Sequence, residues 1–472
     1  MFDPVIAPSG TLLGLLQRGR GDGTLHALTA PRAEALAALN HCVLRDPRHD
    51  WQVENRSLYY ARLFLDLSGE LDEIEAHLFD ADDVLETDES RTGLALAVLG
   101  HLASYGRRDA LELLRRYAAC GANWAWALDE LALRDDDAGL RALAAPVLAR
   151  FPADPEGEAE LAVVVRDSFE PRPWRLWADD PRETIGTRVR AAQEAGSFDR
   201  WQRQMRPSGP RPGWSVRAVF EWAQQGIERG AALHVPAARC LTAVAGPEDR
   251  PEILEAARSG DDGARCTALR YLADSQDPDV LDLIEAAQAS ASRLVVDAAV
   301  DAFERMRSIA AVERARGWVH RPDALGEAAG RVLACRGGVA DRELVLGALR
   351  EAVRGDGPDA QTLWTLVDGA GRLGIANAAP VLRHVYRETA SSHLRQRAAR
   401  ALAATDPSFP AGFAVECLWD CEETTREVAA RHAETGDARV VDQLRRLAAD
   451  PAEEAEVQTA VRSRIGPDAS AV

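Results

Sequence analysis

The chain has no lysine; all 56 of its basic residues are arginine. Arginine forks suit carboxylates, and codon usage in a genome rich in G and C yields the same bias. A basic surplus is missing as well, because 75 acidic residues leave a formal net charge of −19. The average surface therefore repels phosphate backbones and anionic lipid heads, which argues against nucleic acid as a partner. No apolar stretch approaches the ~18 to 20 residues of a membrane span, and Met1 to Gly10 lacks the basic-then-apolar order of a secretory leader. A cytoplasmic protein without membrane contact is the expectation. The seven cysteines (42, 120, 240, 266, 335, 417 and 421) follow no spacing framework, so reduced thiols are expected rather than a disulfide scaffold. β-branched runs bounded by Gly or Asn are nearly missing too, Leu161 to Val165 being the one stretch that resembles a strand. No sheet is expected.

What is present is a helical composition: 46% hydrophobic and 28% charged residues, with aromatics at 6%, and Ala and Leu in most apolar positions. Ala264, Ala268, Leu269 and Leu272 recur at helical spacing, a polar turn follows at Asp277-Pro278-Asp279, and a second stripe runs through Val280, Leu283, Ile284 and Ala287. Asp277 is placed to accept from free backbone N–H groups where the second helix starts, with Pro278 where no donor is missed. With Leu272 as anchor, equivalent positions fall at Leu241, Phe303, Leu333, Leu373 and Leu402, with His432 in the last slot. In the N-terminal third they fall at Leu67, Leu102 and Leu133. Five of the six C-terminal steps are 29 to 31 residues long. Leu102 to Ala119 also overlays His432 to Ala449 without a gap, setting Leu114-Arg115-Arg116 on Leu444-Arg445-Arg446.

On these residues, and on Gln396 to Pro407 (QRAARALAATDP) and Gly371 to Leu382 (GRLGIANAAPVL), the chain resembles HEAT repeats in their short form of about 30 residues. The resemblance implies an all-α fold, an α-solenoid of stacked antiparallel helix pairs in which each pair supplies the apolar surface its neighbour lacks. It also implies a concave face, lined by the second helices, that holds another macromolecule. Fold likeness carries no activity by itself.

Between Leu133 and Leu241 the step widens to 108 residues. The resulting division is residues 1–165 as N-terminal repeats, 166–225 as an irregular Arg/Trp/Pro-rich interruption, and 226–472 as C-terminal repeats with a short disordered tail. From Pro171 to Arg217, ten arginines meet five acidic residues and four tryptophans. Loops are expected at Pro171 to Pro173 and Pro207 to Gly213, with a helix from Arg182 to Gln204. Arg172, Trp174, Arg175, Trp177, Trp201, Arg203 and Trp214 form a candidate partner surface, because Arg and Trp dominate the energetic centres of interfaces. Alternatively, the tryptophans plug the seam between two repeat arrays.

Arg115, Arg116, Arg383, Arg387, Arg445 and Arg446 fall on second helices, either as spokes for a partner or as ordinary ion pairs. None of the ten histidines precedes a glutamate, so the iron-ligating His-Glu pairs of HEAT-like hydroxylases are missing. Trp124, Trp126, Asp129 and Glu130 resemble the Trp and Asp set around an extrahelical base in HEAT-like DNA glycosylases; no motif of the HEAT-like pigment lyases is present. Cys417, Cys421 and His432 offer at most three loose ligands where zinc takes four, so no metal or cofactor is expected. The Gly-rich run Arg18 to Gly23 (RGRGDG) follows no strand and reads as a turn. The leading expectation is a non-catalytic scaffold or adaptor for a protein partner. A HEAT-like enzyme is the first alternative. An inhibitor that meets a basic toxin or effector with clustered carboxylates is the second.

Overall fold

The computed structural model describes residues 6–48, 52–80, 89–204 and 213–465, with the side chains of all but 89–90 and 196–204 among them. Every regular element among the described residues is a helix, and none is a strand. Leu161 to Val165 lies inside the helix Pro155–Asp167. The segment from 166 to 225 is less irregular than its composition implies, because Arg172–Ala178, Glu183–Gln204 and Val216–Glu228 are helices. Pro173 replaces the expected loop with a helix start, since in a first turn its absent N–H breaks no bond. Most of Pro207 to Gly213 and the tail from 466 lie outside the described residues.

Short helices need their ends closed, and one device recurs. The Leu272 carbonyl accepts from Asp277 N–H (2.9 Å) while Ala273 accepts from Gln276 N–H (3.0 Å), a Schellman closure with Gln276 left-handed at φ 58°. The same two bonds end helices at Leu15, Phe64, Leu102, Gly226 and Ala370, with Gly19, Ser68, Gly106, Gly230 and Gly374 in the left-handed position. Gln276 tolerates a glycine's conformation because its side chain donates to the Ala273 and Arg305 carbonyls and accepts from Arg307 N–H. Asp277 accepts from Asp279 N–H at 3.0 Å, but within the turn: the helix Val280–Ala287 has Asp279 at its N-cap without a side-chain cap bond, so Pro278 stands before the helix and not in its first turn. Eight of the ten anchor positions are buried, but Leu133 and His432 are exposed. In the helix Trp124–Arg134 the buried stripe is Ala127, Leu128, Leu131 and Ala132, so Leu133, an anchor by spacing, lies on the exposed face.

Contacts divide the chain into two units. The first is Met1–Arg206 with Arg387–Ala399 and Pro407–Val472, and the second is Pro207–Tyr386 with Arg400–Asp406. The C-terminal helices from Phe413 onward thus belong with the N-terminal ones, a grouping that divisions at 165 and 225 do not contain. In the second unit the helices Val216–Glu228, Asp262–Asp274, Arg293–Arg305, Ala324–Arg336 and Leu363–Arg372 each pack on the next.

The first unit joins distant parts of the chain through the hexapeptide Arg18 to Gly23. A Cβ on Gly21 would lie 1.9 Å from the Glu416 carbonyl oxygen, and one on the left-handed Gly19 would lie 2.4 Å from Cys421 Sγ. Only glycine permits so close an approach, and Cys421 N–H donates to the Gly19 carbonyl at 2.9 Å. Arg20, buried between the two glycines, sets one guanidinium nitrogen on both Glu416 (2.6 Å) and Asp22 (2.9 Å). RGRGDG is therefore a docking segment, not merely a turn.

This clasp titrates. Burial pushes the Glu416 carboxyl up to about 7, Arg20 opposing and Asp22 adding to the rise. A carboxyl with a raised folded pKa binds its proton more tightly folded than unfolded, so its contribution is present below the unfolded value and lost as pH rises through about 7. Glu416→Gln mimics the protonated form. Relative to that variant, the wild type should gain on the order of 2 kcal/mol between about pH 8 and about pH 5, measured by chemical denaturation. Parallel stability curves for the two proteins would exclude the assignment. His101, pushed down to about 4 mainly by burial, has the opposite pH dependence but is common to both proteins.

Candidate functional site

The arginine spokes are already occupied. Arg115 holds Asp135 (2.8 and 2.5 Å), and Arg116 holds Glu75 (2.6 Å) while lying over the Phe79 ring. Arg383 pairs with Asp406 (2.6 Å), Arg445 with Asp442 (3.2 Å) and Arg446 with Asp66 (3.6 Å). Arg387 sits 5.1 Å from the centre of the Phe413 ring. Between the two accounts of these residues, neighbour pairing is the one their geometry fits.

The tryptophans of the middle segment divide. Trp174 and Trp177 are core, not surface: both are buried, their rings meet edge to face at 4.9 Å, and the Trp177 indole N–H donates to the Leu140 carbonyl at 2.8 Å. Arg172 is tied to the Ala132 and Asp135 carbonyls and to Asp137, while Arg175 is exposed. Trp214, in the second unit, is half-buried against Trp222 at 5.4 Å. The side chains of Trp201 and Arg203 lie outside the described residues.

The glycosylase-like set does not converge on one space. Trp124 packs edge to face on Phe151 at 5.9 Å with Arg150 over its ring, and Trp126 is half-buried. Asp129 accepts from Glu170 N–H at 3.2 Å, and burial pushes its carboxyl up to about 6. Burial pushes Glu130 to about 7 against the pull of Arg134, its ion-pair partner at 2.6 Å. Glu130 faces a different helix, so near Gly100 that a Cβ there would lie 1.9 Å from its Oε2. All seven cysteines are free, and no group of three His, Cys, Asp or Glu among the described residues is arranged to hold a metal. No described helix is long and apolar enough to cross a membrane.

Among the concave spaces of the described residues, two have contrasting walls. A cavity of about 170 Å³ in the first unit is walled by Arg62, Tyr105, Arg426 and Asp450 among others. These groups bond to the protein itself: Arg62 to Asp450 (2.8 Å) and Glu453 (3.1 Å), Arg426 to Glu453 (2.7 Å), and Tyr105 to Asp450 (2.9 Å). The second unit holds a groove of about 560 Å³ between the turn Val319 to Asp323 and the helices Ala324–Arg336 and Arg342–Asp356. Its charge is one-sided. Asp323, Glu327, Glu343, Glu351 and Asp356 line it. Its two arginines are committed, Arg321 to Asp323 (2.7 Å) and Arg331 to Glu304. Glu327 and Glu343 are exposed and pair with no described cation.

Small residues open this groove. A Cβ on Gly347 or Gly355 would meet nothing within 4 Å, so neither glycine is required by packing. Gly347, Glu351 and Gly355 stand four apart, on one face of the helix. Each glycine costs a helix interior about 1 kcal/mol relative to alanine, and that spacing is the one signal by which the sequence marks this face. The arrangement suits positively charged side chains approaching a helix closely. Compared with known proteins, the chain matches no family model, and no curated protein matches it.

Proposed function

We propose that this is a non-catalytic, HEAT-like binding protein whose second-unit groove takes a cationic segment of a protein partner. The observation that carries the reading is the imbalance in the groove: of its five lining carboxylates, Asp323 holds Arg321 and Glu351 holds Arg354 (2.8 Å), while Glu327, Glu343 and Asp356 pair with no described cation and the other lining arginine, Arg331, is turned to Glu304. A partner that brings arginine or lysine there supplies the charge the groove lacks, and complementary charge speeds encounter and sets register more than it adds affinity. The occupied arginine spokes support the same direction. They favour a basic partner over an acidic one, as the toxin-inhibitor alternative requires. A net charge of −19 adds long-range attraction for such a partner.

The test uses the full chain and a helical peptide that repeats Arg-Ala-Ala. Neutralising Glu327, Glu343 and Glu351 to Gln should weaken its binding at least about tenfold, one factor of ten being about 1.4 kcal/mol, and should flatten the salt dependence. Folding stability should move by less than about 0.5 kcal/mol, because these carboxylates are at the surface. Neutralising Glu228, Glu252 and Asp301 removes the same charge from elsewhere on the second unit. If both triple variants bind alike, attraction is diffuse and the groove is not the site.

A further inference from the structure

A second surface, in the first unit, combines exposed apolar side chains with a carboxylate that lacks a cation. Phe169 is 82% exposed and Leu133 is 60% exposed. Isolated exposed apolar residues are ordinary; these are presented on a fixed backbone. Glu170 N–H donates to Asp129 Oδ1 at 3.2 Å, and Arg172 donates to the carbonyls of Ala132 (2.8 Å) and Asp135 (3.0 Å) and to Asp137 (2.6 Å). Residues 169 to 172 therefore run along the helix Trp124–Arg134, on which Trp126, Asp129 and Leu133 share one stripe at spacings of three and four. A phenylalanine held this way has already lost much of the freedom that binding would otherwise remove.

Asp129 makes the surface selective. Its carboxylate accepts the Glu170 N–H and pairs with no described cation, and Glu170, which follows Phe169, is a second carboxylate that pairs with no described cation. The one nearby arginine on the same helix, Arg134, is spent on Glu130 at 2.6 Å and on Ser104 at 2.9 Å. A half-buried, unpaired carboxylate is costly to keep ionised, in keeping with the raised Asp129 value. An arriving guanidinium or ammonium would relieve that cost while apolar neighbours on the same segment covered Phe169 and Leu133.

We infer that Phe169 and Leu133, set around the Asp129 carboxylate, form a docking patch for a partner segment that carries apolar side chains one helical turn from an arginine or lysine. The patch lies on other helices than the groove and stands or falls separately from it. An 18-residue amphipathic peptide of leucine and arginine at helical spacing serves as probe, with a twin carrying glutamate for arginine. On the full chain, the arginine peptide should slow amide exchange at residues 126–133 and 168–172, and the glutamate twin should not. Phe169→Ser and Asp129→Asn should each weaken binding at least fivefold without lowering the temperature of unfolding, whereas the groove triple variant should leave protection at 168–172 intact. No protection at 168–172 with the arginine peptide, equal protection by the glutamate twin, or full binding by Phe169→Ser would each overturn the inference.

Discussion

Replacing Arg395 by Met is expected to destabilise the first unit by about 3–5 kcal/mol, the usual cost of orphaning one member of a buried ion pair. The side chains of Arg395 and Asp420 are both 0% exposed, and the guanidinium meets the carboxylate twice, Nε to Oδ2 at 2.8 Å and Nη2 to Oδ1 at 3.1 Å. Without the arginine, Asp420 keeps only the Glu422 N–H (3.0 Å) among its described side-chain partners, which is too little to hold a charge in a dry interior. The damage should spread to the clasp, because Arg395 also reaches the Gly19 carbonyl (3.4 Å), which itself accepts from Cys421 N–H. The physical cause is testable by a second change. Asp420→Asn keeps an acceptor for Glu422 N–H and removes the stranded charge, so the double variant should recover most of the loss, with a coupling energy of about 1–3 kcal/mol in the mutant cycle. Urea denaturation of the four proteins decides it. A single variant that costs under about 1 kcal/mol would show that water reaches Asp420, and a double variant no better than the single would show that lost packing, not stranded charge, is the cause.

How much of this was legible in the sequence depends on the range of the interaction. Helix class and the apolar anchors are local matters of spacing. Leu272 is buried as its spacing predicts, and Asp277 does accept a nearby N–H, but that of Asp279 inside the turn, one residue short of the helix it was expected to cap. Leu133 was misplaced because a run such as Leu128, Leu131, Ala132 and Leu133 contains two overlapping stripes, and only the neighbouring helices decide which is buried. The clasp was invisible for a stronger reason. Gly19 and Gly21 are required by atoms about 400 residues further along, at Cys421 and Glu416, so their meaning does not lie in the hexapeptide at all. The groove falls between these cases. Its glycines stand at a readable spacing, but its charge imbalance appears only once Arg331 is seen turned to Glu304 and Arg321 to Asp323. The same holds for the arginine spokes, whose identity was plain and whose availability was not.

Trp177 makes the difference between composition and placement measurable. If the Arg/Trp-rich segment met a partner through this residue, Trp177→Ala would weaken capture and leave folding intact, since truncation at a surface usually changes stability by under about 0.5 kcal/mol. The structure calls for the opposite result. Trp177 is 0% exposed, packs edge to face on Trp174, and spends its indole N–H on the Leu140 carbonyl. Alanine would leave a large void in the first unit and remove the indole's bond to a carbonyl of the helix Asp137–Leu148, at an expected cost of about 3–5 kcal/mol. Trp177→Phe separates the two contributions, because it refills most of the volume without restoring the donor. It should lose clearly less than alanine, with the shortfall made up of the hydrogen bond, worth about 1 kcal/mol, and the remaining size mismatch. Denaturant midpoints for the three proteins give the ordering. Wild-type stability in Trp177→Ala would return this tryptophan to the surface and reopen it as an interface residue; a loss of several kcal/mol assigns Trp177 to the core, where its 0% exposure puts it.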